Sequence, residues 1–254
     1  MIKKDSTDWG HVGGWYDETI EKTGSYQKEV ILPNILRLLQ IEKGEKILDL
    51  ACGQGFFSRA FNQAGAKVFG VDAGKSLIEI AKENSPKDIS YEVAKAEKLP
   101  FEKEIFDKAV CILALQNILE FNEAIAEVSR ALKNNGSFYI VLNHPAFRIP
   151  GKSSWGTDQE NGIQYRRVDT YLSESKNEID MNPGEKNPER KSFTYSFHRP
   201  LQVYMKSLSK NGFAITKIEE WISHKESEIG PRKLAEDRAR KEFPLFMAIE
   251  CKKT

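Results

Sequence analysis

The sequence predicts a doubly wound α/β domain on a seven-stranded, mostly parallel sheet, and three observations carry that expectation. Short apolar runs alternate with amphipathic segments between residues 46 and 142, the rhythm of parallel strands joined by crossover helices. The first run, Ile47-Leu48-Asp49-Leu50, passes directly into Ala51-Cys52-Gly53-Gln54-Gly55. Strand followed by tight glycine turn is how such folds open a nucleotide site at the carboxyl end of the first strand. The length, 254 residues, suits one well-buried α/β domain spanning residues 1–254 with an elaboration.

The elements follow in order. Residues 1–25 are polar and glycine-rich, with Trp9, Trp15 and Tyr16 interleaved, either a stub docked on the core or a flap over a ligand. From Tyr26 to Leu39 the apolar residues Val30, Ile31, Ile35, Leu38 and Leu39 share one side of a helix, and Pro33 marks its first turn or a break in it. Residues 1–40 therefore form an N-terminal helical cap. After the glycine turn, Phe57, Ala60, Phe61 and Ala64 recur at helical spacing up to Gly65. Residues 67–71 read as the second strand, ending in Asp72, and Leu77, Ile78 and Ala81 mark a helix that breaks before Pro86. Residues 89–93 form the third strand, 96–101 a loop and 107–113 the fourth strand. Asn122 is placed to cap a helix with Ile125, Val128, Ala131 and Leu132 facing inward. Asn134-Asn135-Gly136 ends it, and 138–142 is the fifth strand.

Between residues 144 and 197 the alternation fails. Two strand-like pieces, 164–172 and 191–197, flank a polar stretch with the turn signal Asn182-Pro183-Gly184, which predicts a hairpin-like insertion. Pro200 suits the first position of a helix carrying Leu201, Tyr204, Met205 and Leu208. Residues 213–221 and 245–251 supply the last two strands, separated by a charged helix over 232–242.

Composition narrows the class. With 38 basic and 37 acidic residues the formal charge is +1, which argues against a protein that grips nucleic acid by bulk charge. No stretch has the uncharged length needed to span a bilayer, and no signal peptide is visible, so the expected location is the cytoplasm. Three cysteines, Cys52, Cys111 and Cys251, form no disulfide framework and fit that compartment as reduced thiols.

The chemistry rests on Asp49. A carboxylate within a buried strand is costly unless something nearby needs it. Dinucleotide turns want a third glycine, where this chain has Ser58, and phosphate loops want a Gly-Lys-Ser or Gly-Lys-Thr that is missing. A phosphate-free cofactor with a cationic amino-acid end explains the acid: S-adenosylmethionine carries an α-ammonium for Asp49 and a ribose diol for Asp72.

The pieces 47–55, Gly70-Val71-Asp72, 96–101, Phe106-Asp107, Glu127 through Arg130 to Leu132-Lys133, and Gly136 together resemble the class I S-adenosylmethionine-dependent methyltransferases. The nearest group in this resemblance is the small-molecule one that includes the ubiquinone/menaquinone C-methyltransferases. It covers roughly residues 30–143 and implies a Rossmann-like methyltransferase fold with an antiparallel last strand. By position it implies that Asp49, Ala51, Gly53 and Gly55 surround the methionine part, Asp72 and Ala73 the ribose, and Ala96 and Glu97 the adenine. Leu113 and Asn117 would line the methyl-donor pocket. Lys95 departs from the family, which often has Asp there to accept from the adenine amino group; lysine cannot accept that bond.

Methyl transfer needs alignment and a dry site, plus a general base where the nucleophile is a hydroxyl or carbon acid. His144, directly after the fifth strand, is a base or a loop-stabilising residue. His198 is a base or a helix-entry hydrogen bond, and His-Arg-Pro resembles a recurring start of that helix in this group. The insertion over residues 144–197 is the expected substrate cap, since a shared core leaves specificity to what covers it. Trp155, Tyr165, Tyr171, Phe193 and Tyr195 would wall a pocket, with Arg166 or Arg167 paired to a carboxylate or phosphate; strand alternation points one of the two inward. The alternative role for the insertion is homodimerisation.

The leading reading is a methyltransferase acting on O, N or C of a small-molecule acceptor, with S-adenosylhomocysteine as product. RNA or protein methylation, or non-catalytic S-adenosylmethionine binding, are the rivals. Residues 144–199 hold nine Lys/Arg against eight Asp/Glu, no basic excess for RNA. The strand ends lack the carboxylates of a metal-dependent enzyme, so no metal is expected.

Overall fold

The computed structural model describes residues 24–180, 187, 191 and 193–254. Trp9, Trp15, Tyr16 and the turn at Asn182-Pro183-Gly184 lie outside these residues. The central strands are β1 (Lys46–Leu50), β2 (Lys67–Asp72), β3 (Ser90–Val93), β4 (Phe106–Ile112) and β5 (Leu132–Asn143). The chain then runs through β6 (Ser153–Asp158), β7 (Ile163–Val168), β8 (Ser175–Asp180) and β9 (Phe193–His198), and returns as β10 (Phe213–Trp221) and β11 (Phe246–Lys253). The helices are α1 (Leu32–Leu39), α2 (Phe56–Gln63), α3 (Lys75–Glu83), α4 (Phe121–Ala131), α5 (Leu201–Lys210) and α6 (Lys233–Glu242).

Seven strands make one sheet in the order β10-β11-β5-β4-β1-β2-β3. The five strands from β5 to β3 in that order are parallel, whereas β11 runs antiparallel to both β5 and β10. The strand order reverses between β1 and β4, a switch point at which α/β sheets bind ligands outside the carboxyl ends of their strands. Alternate residues feed opposite faces: Leu48 and Leu50 join Phe106, Ile125, Val128, Phe138 and Leu208, while Ile47 joins Ile31, Ile35, Phe61, Val68 and Ile78. Phe61, Phe106 and Phe138 are fully buried, each worth about 1.5–3 kcal/mol relative to exposure.

Pro33 lies in the first turn of α1, which follows a π-helical turn over Gln27–Ile31 without interruption. Three expectations are corrected in detail. Asn122 does not cap α4, which starts at Phe121 without a side-chain cap. A tertiary contact sets that entry instead: the Arg199 guanidinium donates to the carbonyls of Ile118 (2.9 Å) and Leu119 (3.1 Å) and lies 4.1 Å from the Phe121 ring centre. Asn134-Asn135-Gly136 does not end the helix, because α4 passes directly into β5 at Leu132. There Asn135 takes φ +61° and a Cβ on Gly136 would lie 2.9 Å from the Lys133 carbonyl, so these residues kink the strand entry before regular pairing resumes at Ser137.

The third correction concerns the insertion. The two expected strands do not pair with each other: β7 pairs with β6 and β9 pairs with β8, giving two antiparallel hairpins. Their partners, Ser-Ser-Trp-Gly-Thr-Asp and Ser-Lys-Asn-Glu-Ile-Asp, are too polar to announce themselves as strands. Cross-strand contacts stabilise them instead, with Arg166 lying 5.0 Å from the Trp155 ring centre and Lys176 3.9 Å from that of Tyr195.

Candidate functional site

The turn after β1 is shaped by backbone geometry. Ala51, Gly53 and Gly55 have φ of +57°, +56° and +83°, and Ala51 accepts that strain without being glycine. Tyr91 of β3 is packed beneath the turn: a Cβ on Gly55 would strike its hydroxyl, and one on Gly70 would lie 2.6 Å from its ring and 2.9 Å from Cys52 Sγ. These glycines let the turn and β2 close over an aromatic side chain.

Asp49 shares the sheet face of Ile47 and is 2 % exposed. Its Oδ2 accepts a 2.5 Å hydrogen bond from Ser58 Oγ on α2. Burial pushes its carboxyl up to about 7, against the Ser58 bond, and nearby Asp72 adds to the rise. No Lys or Arg pairs with it among the described residues. Ser58, which stands where a dinucleotide turn has its third glycine, is nine positions after the buried acid and is that acid's hydrogen-bond donor.

Asp72 stands at the end of β2. Its Oδ2 accepts from the Gly53 amide (2.9 Å) and its Oδ1 from the Gly74 amide (2.8 Å), so it ties the first turn to the second, with Ala73 between. Ala96 and Glu97 lie in the loop after β3, where Glu97 pairs with Lys95 at 3.6 Å. That loop is clamped from α4. Glu127 accepts from the Leu99 amide (2.8 Å), and Arg130 binds Glu127 and donates to the Phe101 carbonyl (2.8 Å). The Arg130 bond holds the Glu127 carboxyl below its usual range. This clamp was legible only as matched sequence, not as a support for residues 96–97.

Beyond β4, Leu113 takes φ +54° and begins a 3₁₀ turn over Leu115–Asn117, whose Asn117 Nδ2 lies 3.4 Å from the Leu113 carbonyl. The parallel sheet therefore places Asp49, the glycine turn, Asp72, the 96–97 loop and the 113–117 turn along one edge. The two histidines are held differently. His144 Nε2 meets Glu220 at 2.7 Å, while its Nδ1 accepts from the Ala146 and Phe147 amides at 3.2 and 3.3 Å. Burial holds its pKa below the usual value. Both ring nitrogens are thus committed, on the side of β5 that faces β10. His198 donates from Nε2 to the Tyr171 carbonyl at 2.8 Å, since a carbonyl can only accept.

Of the insertion residues, Tyr171 is a latch: its hydroxyl accepts from the Leu201 amide at 3.0 Å as its carbonyl holds His198. Tyr165 is exposed and borders a cavity of about 270 Å³ between β7 and α6, with Ala235, Arg238, Ala239 and Phe243 opposite. Arg166 turns inward and Arg167 outward, the latter paired with Asp169. Trp155 and Phe193 are exposed, so these aromatics do not converge on one pocket.

The residues fit a cationic nucleoside cofactor without phosphates. A buried acid has no cation beside it among the described residues, a second carboxylate closes the next strand, and the turn has no lysine in phosphate-gripping position. Fold and turn define a Rossmann-like nucleotide-cofactor domain. Residues 48–140 match the family described as a methyltransferase domain. A ubiquinone biosynthesis O-methyltransferase of Pelagibacter ubique is 37% identical over 102 residues, 39% of this chain and 42% of the relative. A demethylmenaquinone methyltransferase of Paenarthrobacter aurescens is 30% identical over 112 residues, 44% of each. The chain thus spans less than half the length of these curated relatives. Over the whole fold, the crystal structure of an S-adenosylmethionine dependent methyltransferase from Mesorhizobium loti superposes with a TM-score of 0.68 at 27% identity, covering 87% of this chain and 96% of that one. Residues 48–140 are thus similar to a methyltransferase domain, and the fold as a whole is that of S-adenosylmethionine-dependent methyltransferase structures.

Proposed function

We propose that this chain transfers a methyl group from S-adenosylmethionine to an oxygen, nitrogen or carbon nucleophile of a small-molecule acceptor, releasing S-adenosylhomocysteine. The observation that carries this reading is Asp49, a buried carboxylate beside a glycine turn with no cation among the described residues to pair with it. When bound, the sulfonium supplies an already reactive methyl. The chain's part is to hold the α-ammonium through Asp49 and the turn of Ala51, Gly53 and Gly55, and the ribose through Asp72 and Ala73. The adenine is held by Ala96 and Glu97, and Leu113 and Asn117 close the pocket so that water is excluded and the nucleophile aligned.

Where the nucleophile needs deprotonation, His198 is the better-suited base. Donation from Nε2 to Tyr171 leaves Nδ1 as its proton-accepting nitrogen. His144 could act only by giving up its loop contacts. A small acceptor is supported by the charge balance of residues 144–199 and by relatives named for quinone biosynthesis. The two hairpins of the insertion serve as the acceptor cap, with homodimerisation as their alternative role. No helix among the described residues is long and apolar enough to cross a membrane, and we place the reaction in the cytoplasm.

The test is to incubate the protein with methyl-labelled S-adenosylmethionine and a cell extract, then separate small molecules from RNA and protein. Label in the small-molecule fraction is the expected result. Label confined to RNA or protein contradicts the acceptor class, and cofactor binding without transfer to any fraction indicates a non-catalytic binding protein.

A further inference from the structure

The loop that follows β5 carries Arg148 and is crossed by Arg166 of β7, and neither arginine is ion-paired among the described residues. Arg148 donates from Nη1 to Asn143 Oδ1 at 2.6 Å and lies 5.4 Å from the Phe246 ring centre. Arg166 reaches across from β7, donating from Nε to the Phe147 carbonyl at 2.8 Å and from Nη2 to Ser153 Oγ at 2.7 Å. The carbonyl that holds Arg166 thus belongs to the residue before Arg148, whose own guanidinium is anchored at the end of β5 by Asn143. Every hydrogen-bond partner is neutral. The nearest acid on this loop's contacts, Glu220, is engaged by His144, and Arg167, not Arg166, takes Asp169.

Such a pair is costly. Burial lowers the pKa of both groups; for Arg148 the Tyr26 hydroxyl acts against that shift and the Arg166 charge adds to it. Arg148 keeps an exposed surface although its guanidinium is hemmed in by protein atoms, so a ligand can reach it. The surroundings are aromatic: Phe147 lies 4.7 Å from the His144 ring, Phe147 and Trp155 each lie 5.4 Å from Phe243, and Arg166 lies over Trp155. Arg148, with Nη1 engaged by Asn143, keeps Nε and Nη2 as the fork that matches a planar carboxylate, while Arg166 adds positive charge beside it and the neighbouring aromatic rings suit a flat apolar body.

We propose that Arg148 and Arg166 form an anion clamp that recognises an aryl carboxylate on the methyl acceptor. The clamp lies at the end of β5, on the sheet edge where the acceptor is expected, and the assignment rests on the methyltransferase reading. It names a substrate class that the glycine turn does not address, and it adds Arg148, which the sequence did not single out.

The test titrates benzoate, inorganic phosphate and benzyl alcohol into the whole protein at fixed ionic strength, by calorimetry, with S-adenosylhomocysteine titrated into the same samples. Benzoate is expected to bind at least tenfold more tightly than benzyl alcohol and phosphate. Arg148→Gln is expected to weaken benzoate at least tenfold, Arg148→Lys less, and Arg167→Gln not at all, with S-adenosylhomocysteine affinity unchanged throughout. Because the Arg148 side chain makes one hydrogen bond among the described residues, to Asn143, its substitution spares the hairpin that Arg166 supports, and circular dichroism checks the fold. Equal binding of benzoate and benzyl alcohol, or equal loss in Arg148→Gln and Arg167→Gln, overturns the clamp. Tighter binding of phosphate overturns its assignment to a carboxylate. Normal S-adenosylhomocysteine binding in either case leaves the methyltransferase reading standing, whereas its absence in the unsubstituted protein strikes that reading alone.

Discussion

Replacing Asp49 by Asn should stabilise the ligand-free protein at alkaline pH and remove a specific pH dependence. The carboxyl is raised from 3.8 to about 7 in the folded chain, first by burial. A raised acid binds more protons folded than unfolded, so its contribution to stability is full below pH 4 and is lost as pH rises to 7. Between pH 5 and pH 7 that is two units at about 1.4 kcal/mol each, about 3 kcal/mol in all. Asn keeps the volume and can still accept from Ser58 Oγ, but has no charge to bury. Urea unfolding at pH 5 and pH 8 should therefore show the variant gaining about 3 kcal/mol on the parent between the two conditions. His144, held below its usual pKa, acts in the opposite direction below pH 6.5, but equally in both proteins, so the comparison isolates Asp49. A cationic ligand should in turn reverse the shift, making S-adenosylmethionine binding by the parent roughly tenfold weaker at pH 6 than at pH 7.5. A parent and variant with parallel pH profiles would refute the burial argument.

Three further outcomes follow from named contacts. Gly70→Ala should cost about 1–3 kcal/mol, because the added methyl overlaps the Tyr91 ring and Cys52 Sγ; chemical denaturation measures it. Glu127→Ala should cost about 1–3 kcal/mol by orphaning the Leu99 amide and freeing Arg130, and should weaken S-adenosylhomocysteine through the loosened 96–101 loop, read by calorimetry. Once an acceptor is in hand, His198→Ala should lower kcat roughly 10²–10⁴-fold if the nucleophile needs a base, with S-adenosylhomocysteine affinity retained; an unchanged kcat removes His198 from the chemistry.

The core was legible because its signals are local. Apolar runs, the glycine turn, and acids at Asp49 and Asp72 each occupy a few consecutive residues, and their order fixes a parallel sheet. The insertion was half legible. The Phe193-Thr194-Tyr195 alternation showed β9, but β6 and β8 are polar strands held by cross-strand arginine and lysine contacts with aromatics, and no local pattern says which strands pair. The start of α4 was misread for the same reason. Asn122 looked like a cap, whereas Arg199, about eighty residues later, sets the entry through two carbonyls. Local signals could name Asp49 and Asp72 as candidates, whereas partners that come from elsewhere on the chain, Ser58 under Asp49 and Glu127 under Leu99, show only in the fold.

The central claim is that the edge formed by Asp49, the glycine turn and Asp72 holds S-adenosylmethionine. Its most direct measurement is calorimetric titration of S-adenosylhomocysteine into the folded protein and into Asp72→Ala at pH 7.5. The account predicts one site per chain in the parent and at least tenfold weaker binding in Asp72→Ala, with circular dichroism unchanged; no binding by the folded parent, or equal affinity in the variant, would contradict it.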